Sequence, residues 1–334
     1  MSQNKRKLFI ESLTDFQIVN GGQTTASIYF SKKDGLDVSN VKVMAKINVV
    51  NETDGGGLDS LISNISEFSN SQSRVSKVDL KARNSQLVKL KQLSDSVMTP
   101  SGLKWFFERA KGEFNTKVRI AGTNGNSIKK ATPLSRRFSK ELLAKYSSSW
   151  GDIPYMVKKG GEKIFRHFIE QISPEDRALA IVIDRDYYEN LISKIILFRR
   201  LEKIYGQGNN SMGQLRAAVI PYTLSVVYMI TDGSNEKVKF NFSKIWKKED
   251  IDDDFAEYFR KLMLLMNNLI KNYSVSDDYG EYSKKPELWN KIKNCEEIRL
   301  FLAEADNKKI IDNYTVECLN KVSKIVLSGF PRIS

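Results

Sequence analysis

A glycine turn between an apolar run and a polar helix start constrains this fold more than any other sequence feature. It lies in FQIVNGGQTTASI, residues 16–28. Residues 16–19 have the apolar pattern of a short buried strand, and residues 23–30 have the pattern of a helix that Asp34-Gly35 closes. Residues 41–50 then alternate apolar and polar side chains, which predicts a second strand. This order of elements predicts a small α/β unit.

Helical spacing dominates the rest of the chain. Apolar residues recur at helical intervals over residues 58–68 and 78–93, and Ser139 is placed to cap a helix over 139–150. The later segments predicted as helices are residues 160–172, 173–205 with a break near 184–186, 212–231, 252–272, 286–304 and 306–327. Residues 121–127, AGTNGNS, are predicted to form a loop because glycine and asparagine dominate them.

Net charge changes at the same place as the structural class. The chain carries 53 Lys and Arg against 40 Asp and Glu, a net charge of +13. Residues 1–170 hold 28 basic and 16 acidic side chains, whereas residues 171–334 hold 25 and 24. We therefore predict an α+β fold with a basic α/β domain over residues 1–170 and a mostly α-helical domain over 174–334. Residues 104–145 hold 11 basic and 3 acidic side chains, which indicates a DNA or RNA partner or a solvated basic face.

Several chemistries lack their residues in this sequence. His167 is the only histidine, which excludes a two-histidine metal site, and no metal ligands are predicted. The phosphate-binding loop GxxxxGK[ST] and the dinucleotide fingerprint GxGxxG are both missing. The acidic run KEDIDDDF, residues 248–255, is typical of a helix start, where negative charge is favoured. Two cysteines and the lack of a long apolar run predict a cytoplasmic protein without a membrane partner.

Two polar motifs in the first half are candidates for a ligand pocket. In VNGGQTTAS, glycines leave backbone N–H groups uncovered, and the following helix start adds partial positive charge. In SNSQSR, residues 69–74, an arginine can reach a phosphate and an asparagine can reach a ligand or a metal-bound water. The alternatives are a tight turn for the first motif and ordinary helix capping for the second. The predicted ligand-facing residues are Asn20, Gly21, Gly22, Gln23, Thr24, Thr25, Asn70, Gln72 and Arg74.

The segment GLKWFFERAKGEFN, residues 102–115, places aromatic side chains among basic ones. Such combinations stack bases and neutralise phosphates in proteins that bind single strands. The alternative for Trp105 and Phe107 is packing in the core. The predicted nucleic-acid-binding residues are Lys104, Arg109, Lys111, Lys117, Arg119, Lys129, Lys130, Arg136 and Arg137.

Four sequence blocks within residues 16–170 resemble the abortive infection phage resistance (AIPR) family. In order, the blocks are QIVNGGQTTASI, ISEFSNSQSRVSKVDL, KWFFERAKGEF and FSKELLAKYSSSWGDIPYMVKKGGEKIFRHFI. The resemblance implies a bacterial antiphage protein, of a kind often encoded beside other defence genes. A more distant likeness, to ParB-like domains, implies a ParB-like core in which the two polar motifs line a nucleotide-phosphate pocket. Thr24 and Thr25 stand where that family has arginines.

We therefore expect a defence protein that binds nucleic acid or a nucleotide through the glycine turn and the basic surface. Two alternatives stay open: a Mg²⁺-dependent nuclease or nucleotide hydrolase, and a non-enzymatic interaction module of a defence complex. The sequence does not decide whether the chain is an enzyme. It also leaves the cofactor unknown, with Mg²⁺ and a nucleotide as the candidates. DNA or RNA, partner defence proteins and a second copy of the chain are the expected partners.

Overall fold

The computed structural model describes residues 10–13, 16, 18, 21–49, 84–174, 181–234 and 238–317. The Cα positions group into two compact units, Met1–Leu80 and Lys81–Ser334. The domain boundary near residues 171–174 stays a prediction. The described residues form many helices and a few short strands, so the fold is mixed α+β with a helical bulk.

Helix α1 (Gly22–Lys33) is the helix of the first unit that the structure describes. It begins after Gly21, whose φ of 80° lies in the left-handed region that glycine adopts without strain. It ends at Asp34, and Gly35 follows with a φ of 84°. The predicted helix over residues 23–30 and its closure at Asp34-Gly35 are therefore confirmed.

Both strands predicted in the first unit need correction where the structure describes them. Residues 41–49 form no strand and pair with no described strand, and Val43 is largely and Met44 fully exposed. Phe16 and Ile18 are also exposed and lie outside any strand. A segment with alternating apolar and polar residues forms a strand only when a neighbouring strand completes its backbone hydrogen bonds. Among the described residues, no strand pairs with this segment. The predicted helix over residues 58–68 lies outside the described residues.

The second unit opens with a helix and a pair of short parallel strands. Helix α2 (Ser85–Ser96) begins at Asn84, whose side chain accepts a hydrogen bond of 2.8 Å from the Gln86 N–H. Strand β1 (Phe106–Glu108) pairs in parallel with strand β2 (Arg137–Ser139), and Phe107 lies opposite Phe138. Helix α2 confirms the later part of the helix predicted over residues 78–93. The start of that predicted helix lies outside the described residues.

Two short helices connect β1 to β2. Helix α3 (Glu113–Ile120) is followed by a 3₁₀ turn (Gly122–Asn124) and helix α4 (Gly125–Ala131). The loop predicted over residues 121–127 is therefore wrong. Gly125 explains the difference, because a Cβ atom there would lie only 2.9 Å from the Val118 carbonyl oxygen. The glycine lets α4 start directly against α3 instead of breaking the chain into a loop.

Of the next four helices, the first and the last begin at a side-chain cap. Helix α5 (Lys140–Ser148) begins at Ser139, whose hydroxyl accepts from the Leu142 N–H. It is followed by helices α6 (Pro154–Val157) and α7 (Gly161–Ile172). Helix α8 (Arg185–Tyr205) starts at Asp184, whose carboxylate accepts from the Tyr187 N–H at 2.8 Å. The helices predicted over residues 139–150 and 160–172 are confirmed. Of the helix predicted over 173–205, only the part after the break near 184–186 is confirmed, because residues 173, 174 and 181–184 are not helical and 175–180 lie outside the described residues.

The remainder of the described chain is helical apart from one two-stranded ribbon. Its elements are α9 (Arg216–Ile230), β3 (Val238–Phe240), α10 (Phe242–Lys248), α11 (Asp253–Tyr273), α12 (Tyr279–Tyr282), α13 (Pro286–Ile292), α14 (Glu296–Ala303), α15 (Ala305–Asp312) and β4 (Thr315–Glu317). The single helices predicted over residues 286–304 and 306–327 are wrong in detail. The first is two helices. The second ends at Asp312 because residues 315–317 pair antiparallel with β3, and residues 318–327 lie outside the described residues.

Aromatic side chains hold the core of the second unit together, and the indole N–H groups of two tryptophans have acidic partners. Trp289 is 1% exposed and donates to Asp152 at 2.9 Å. Trp150 donates to Asp232 at 2.6 Å, and its ring centroid lies 4.7 Å from that of Phe240. A buried indole N–H without an acceptor would cost about 1–3 kcal/mol, so these carboxylates allow the large rings to be buried.

The acidic run at residues 248–255 lies at a helix start, as predicted. Asp252 is the residue before α11, and Asp253 and Asp254 lie in the first turn. Asp252 accepts hydrogen bonds from Lys244 at 2.8 Å, Lys248 at 2.5 Å and the Tyr314 hydroxyl at 2.8 Å. These bonds, the one from Lys244 foremost, hold the pKa of Asp252 well below its usual range.

We predict that Asp252 makes the unit sensitive to acid. A carboxyl group whose pKa is lowered by folding stabilises the protein above its unfolded pKa of ~3.9, and this contribution is lost as the pH falls toward the folded pKa. Asp252→Asn should therefore lower the free energy of unfolding at neutral pH and differ less from wild type at acidic pH. Urea denaturation of both proteins at neutral and acidic pH measures this gap. A gap of equal size at both pH values would contradict the prediction.

Candidate nucleic-acid interface

The glycine turn occupies the start of α1, where part of the predicted ligand pocket is described. Gly21 is the N-cap, and its carbonyl accepts the Thr25 N–H at 3.0 Å and the Thr25 hydroxyl at 3.1 Å. The hydroxyl proton of Thr25 is thus used within the helix. Gly22 and Thr24 are exposed in the first turn, which Gln23 also joins. Asn20, Asn70, Gln72 and Arg74 lie outside the described residues, so the pocket stays a prediction.

The aromatic residues of the basic segment lie in the core. Trp105, Phe106 and Phe107 are 5%, 3% and 0% exposed. The ring of Phe107 stacks on that of Phe138 with centroids 5.3 Å apart and planes inclined by 12°. These rings have no exposed face for a base, so the packing alternative describes them correctly. The basic residues around them differ in exposure and in their partners.

Three of the predicted phosphate-binding cations have partners inside the protein. Lys104 donates to the Asp95 carbonyl at 2.7 Å. Arg136 forms an ion pair with Glu249 at 2.5 Å, and both side chains are less than one fifth exposed. Arg137 is half-buried and lies over the Phe114 ring, 3.5 Å from its centroid. Because these side chains brace the fold, they are poorly available to an external phosphate.

Five other predicted cations lie toward solvent. Lys111, Lys117, Arg119, Lys129 and Lys130 are exposed, whereas Arg109 is half-buried. Lys117 and Arg119 belong to α3, and Lys129 and Lys130 belong to α4. We call residues 113–131, which comprise α3, the 3₁₀ turn and α4, the basic helix pair. Lys117 lies 3.7 Å from Asp95, but 49% of its side chain is still exposed to solvent.

Negative charge is almost absent from the basic helix pair. Its one acidic residue, Glu113, pairs with Lys91 at 3.2 Å and accepts the backbone N–H of Arg109 at 3.0 Å. From residue 114 to residue 140 the sequence holds no Asp or Glu and seven Lys or Arg. Asp95 offsets part of the charge of Lys117, but the excess of cations over this stretch still gives the surface a positive potential.

A cleft of about 520 Å³ runs along the basic helix pair. It is lined by Asn115, Val118, Arg119, Gly122, Thr123, Gly125, Asn126 and Lys129. Its lining therefore combines two cations with amide and hydroxyl groups, which are the groups that contact phosphate and sugar in nucleic-acid complexes. Sequence reasoning missed Asn115, Thr123 and Asn126. The signal that could have indicated them is the absence of acidic residues from this stretch. Its glycine and asparagine residues instead led to the prediction of a loop.

The described residues offer neither a metal site nor a membrane segment. Nowhere in them do three or more His, Cys, Asp or Glu side chains converge as metal ligands would. None of the described helices combines the length and the apolar character needed to cross a bilayer.

The fold and this surface define a mostly helical α+β protein with an exposed basic helix pair. A family model described as AIPR protein matches residues 1–274, so the chain belongs to the AIPR family. Membership implies a phage-resistance role of the abortive-infection kind. The match extends beyond residues 16–170 in both directions and includes the helices up to residue 274. No curated protein and no solved structure matches the chain.

Proposed function

We propose that this phage-resistance protein binds nucleic acid through the basic helix pair. One observation carries the proposal: α3 and α4 expose Lys117, Arg119, Lys129 and Lys130 on an acid-free segment beside a polar cleft. Asparagine and threonine side chains between these cations add uncharged donors for phosphate or sugar oxygens. The buried aromatic rings leave charge and hydrogen bonding as the means of recognition. Binding would then depend little on base sequence.

Four phosphate contacts set the size of the expected salt effect. Each neutralised phosphate releases counterions, so the slope of log K against log salt is about −0.9 per contact for duplex DNA and about −0.7 for single strands. Four contacts predict slopes of about −3.6 and −2.8 respectively. A rise from about 50 to about 200 mM salt should therefore weaken duplex binding by roughly 100-fold.

Fluorescence anisotropy with labelled duplex DNA, single-stranded DNA and RNA of mixed sequence tests this proposal. We expect binding at low salt to at least one of the three, with a slope between about −3 and −4 for a duplex and nearer −3 for a single strand. The three probes also determine which nucleic acid is preferred. Absence of binding to all three at low salt would overturn the proposal.

A second candidate is nucleotide binding at the glycine turn, with Mg²⁺ as the accompanying ion. Its support is that α1 begins at Gly21 in a left-handed glycine conformation, since the start of a helix directs backbone N–H groups and partial positive charge toward an anion. The ParB-like arrangement of this turn with SNSQSR belongs to the same candidate. Nucleotide-dependent cleavage would favour the enzyme alternative, and stable co-purification of a defence protein without ligand would favour the interaction module. Protein titration with ATP, with and without Mg²⁺, tests the candidate, and an absence of binding would remove it.

A further inference from the structure

A second cleft, of about 380 Å³, lies in the helical part of the Lys81–Ser334 unit and is separate from the basic helix pair in its lining residues. Its wall includes three lysines from three different parts of the chain, Lys145 of α5, Lys158 after α6 and Lys284 after α12. Three amines around one small cavity repel one another unless carboxylates of the chain or a bound anion offset their charge.

Internal carboxylates offset two of these amines. The Lys145 Nζ lies 3.1 Å from Glu202, and about 29% of its side chain is exposed. Lys284 pairs with Glu281, which is itself 66% exposed at its side chain. Lys158 is half-buried and has no ion pair in the part of the chain that the structure describes. The charge of Lys158 is therefore available to a ligand in the cleft.

Bare backbone completes the cleft on the side of α7. Gly160, in the wall, precedes α7 with a φ of 106°, a conformation that only glycine adopts without strain. A Cβ atom there would meet nothing within 4 Å, so the missing side chain leaves open space. No side chain caps α7, and its first N–H groups begin beside the wall. Ala217, at the start of α9, supplies an apolar part of the wall.

We propose that this cleft binds a small phosphorylated ligand no larger than a mononucleotide. Its volume lies near the lower end of small-molecule sites, which is too small for a nucleic-acid strand. The amine of Lys158 and the bare backbone at Gly160 would hold the phosphate. Asp278 and Glu281, also in the wall, can accept hydrogen bonds from hydroxyl or amino groups on the rest of the ligand.

Calorimetric titration with inorganic phosphate and with AMP, at constant ionic strength, tests this site. We expect at least one of the two probes to bind to wild type, and Lys158→Gln to weaken that binding by about 10-fold. Lys163→Gln is the matched control, because Lys163 is an exposed lysine on α7 outside the wall. It should bind the probe as wild type does. Circular dichroism of both variants reports whether the fold is intact.

Two results would overturn the proposal. One is the absence of binding of both probes to wild type. The other is an equal effect of Lys158→Gln and Lys163→Gln, which would show only a general charge effect. The site is independent of the basic helix pair, so a variant changed at Lys129 and Lys130 should still bind the probe. The two proposals can therefore fail separately.

Discussion

Reversal of two charges on the basic helix pair, in Lys129→Glu/Lys130→Glu, should weaken nucleic-acid binding on the order of 100-fold at low salt. Both lysines are exposed on α4, so the change removes two phosphate contacts and adds two repulsive charges without disturbing the core. The salt slope should become less negative by about two, because each lost contact contributes about one. Anisotropy titrations across a salt series measure both quantities.

The matched control is Lys308→Glu/Lys309→Glu. These lysines are also adjacent and exposed, and they lie on α15, remote in sequence from the basic helix pair. The two double variants change the net charge of the protein equally. We expect the α15 variant to bind nearly as wild type does, with an unchanged slope. Equal losses in both variants would mean that overall charge, rather than the helix pair, attracts the nucleic acid.

Local signals in the sequence predicted the start of a helix well where a capping side chain lies within a few residues of the N–H group that it accepts. Ser139 accepts the Leu142 N–H, and Asp184 accepts the Tyr187 N–H, so each helix start is decided within three residues. Gly35, which follows the C-cap Asp34 with a positive φ, decides the end of α1 in the same way. Such contacts need no information from distant parts of the chain, and a pattern in the sequence is enough to find them.

Strands depended on distant partners, and their prediction failed for that reason. Strand β1 is three residues long, too short for an alternation to be recognised, and its partner begins 31 positions later with Arg137 opposite Phe106. Strand β4 interrupts a segment with helical spacing because β3 is there to pair with it. Residues 41–49 show the converse, since a clear alternation forms no strand with any described segment. Pairing, rather than propensity, decides these cases.

At the candidate site, too, the sequence predicts what depends on neighbouring residues but not what depends on tertiary contacts. The excess of positive charge over residues 104–145 is visible in the sequence, but the availability of each cation is not. Arg136 is neutralised by Glu249, which lies 113 positions away, whereas Lys129 and Lys130 remain exposed. Composition therefore located the basic surface, and only the tertiary contacts separated its bracing residues from those that can reach a phosphate.

Phe107→Ala should produce the largest loss of stability among the changes proposed for this protein. The side chain is fully buried, its ring stacks on Phe138, and its backbone N–H donates to the Ser94 hydroxyl at 2.8 Å. Removing a buried phenyl ring costs about 3–5 kcal/mol, since apolar contacts are lost and a cavity remains. Urea denaturation should show this reduction in the free energy of unfolding of the Lys81–Ser334 unit.

Leu134→Ala is the control for this change, because Leu134 is 78% exposed and its truncation should alter stability by less than about 0.5 kcal/mol. Phe107→Ala also separates the two roles that the sequence allowed for the aromatic residues. If Phe107 is a core residue, its truncation should lower the free energy of unfolding. Under conditions where the variant is still folded, it should bind nucleic acid with an unchanged salt slope. If instead stability were normal and binding were lost, Phe107 would have to reach a base, and the buried stacking on Phe138 would be wrong.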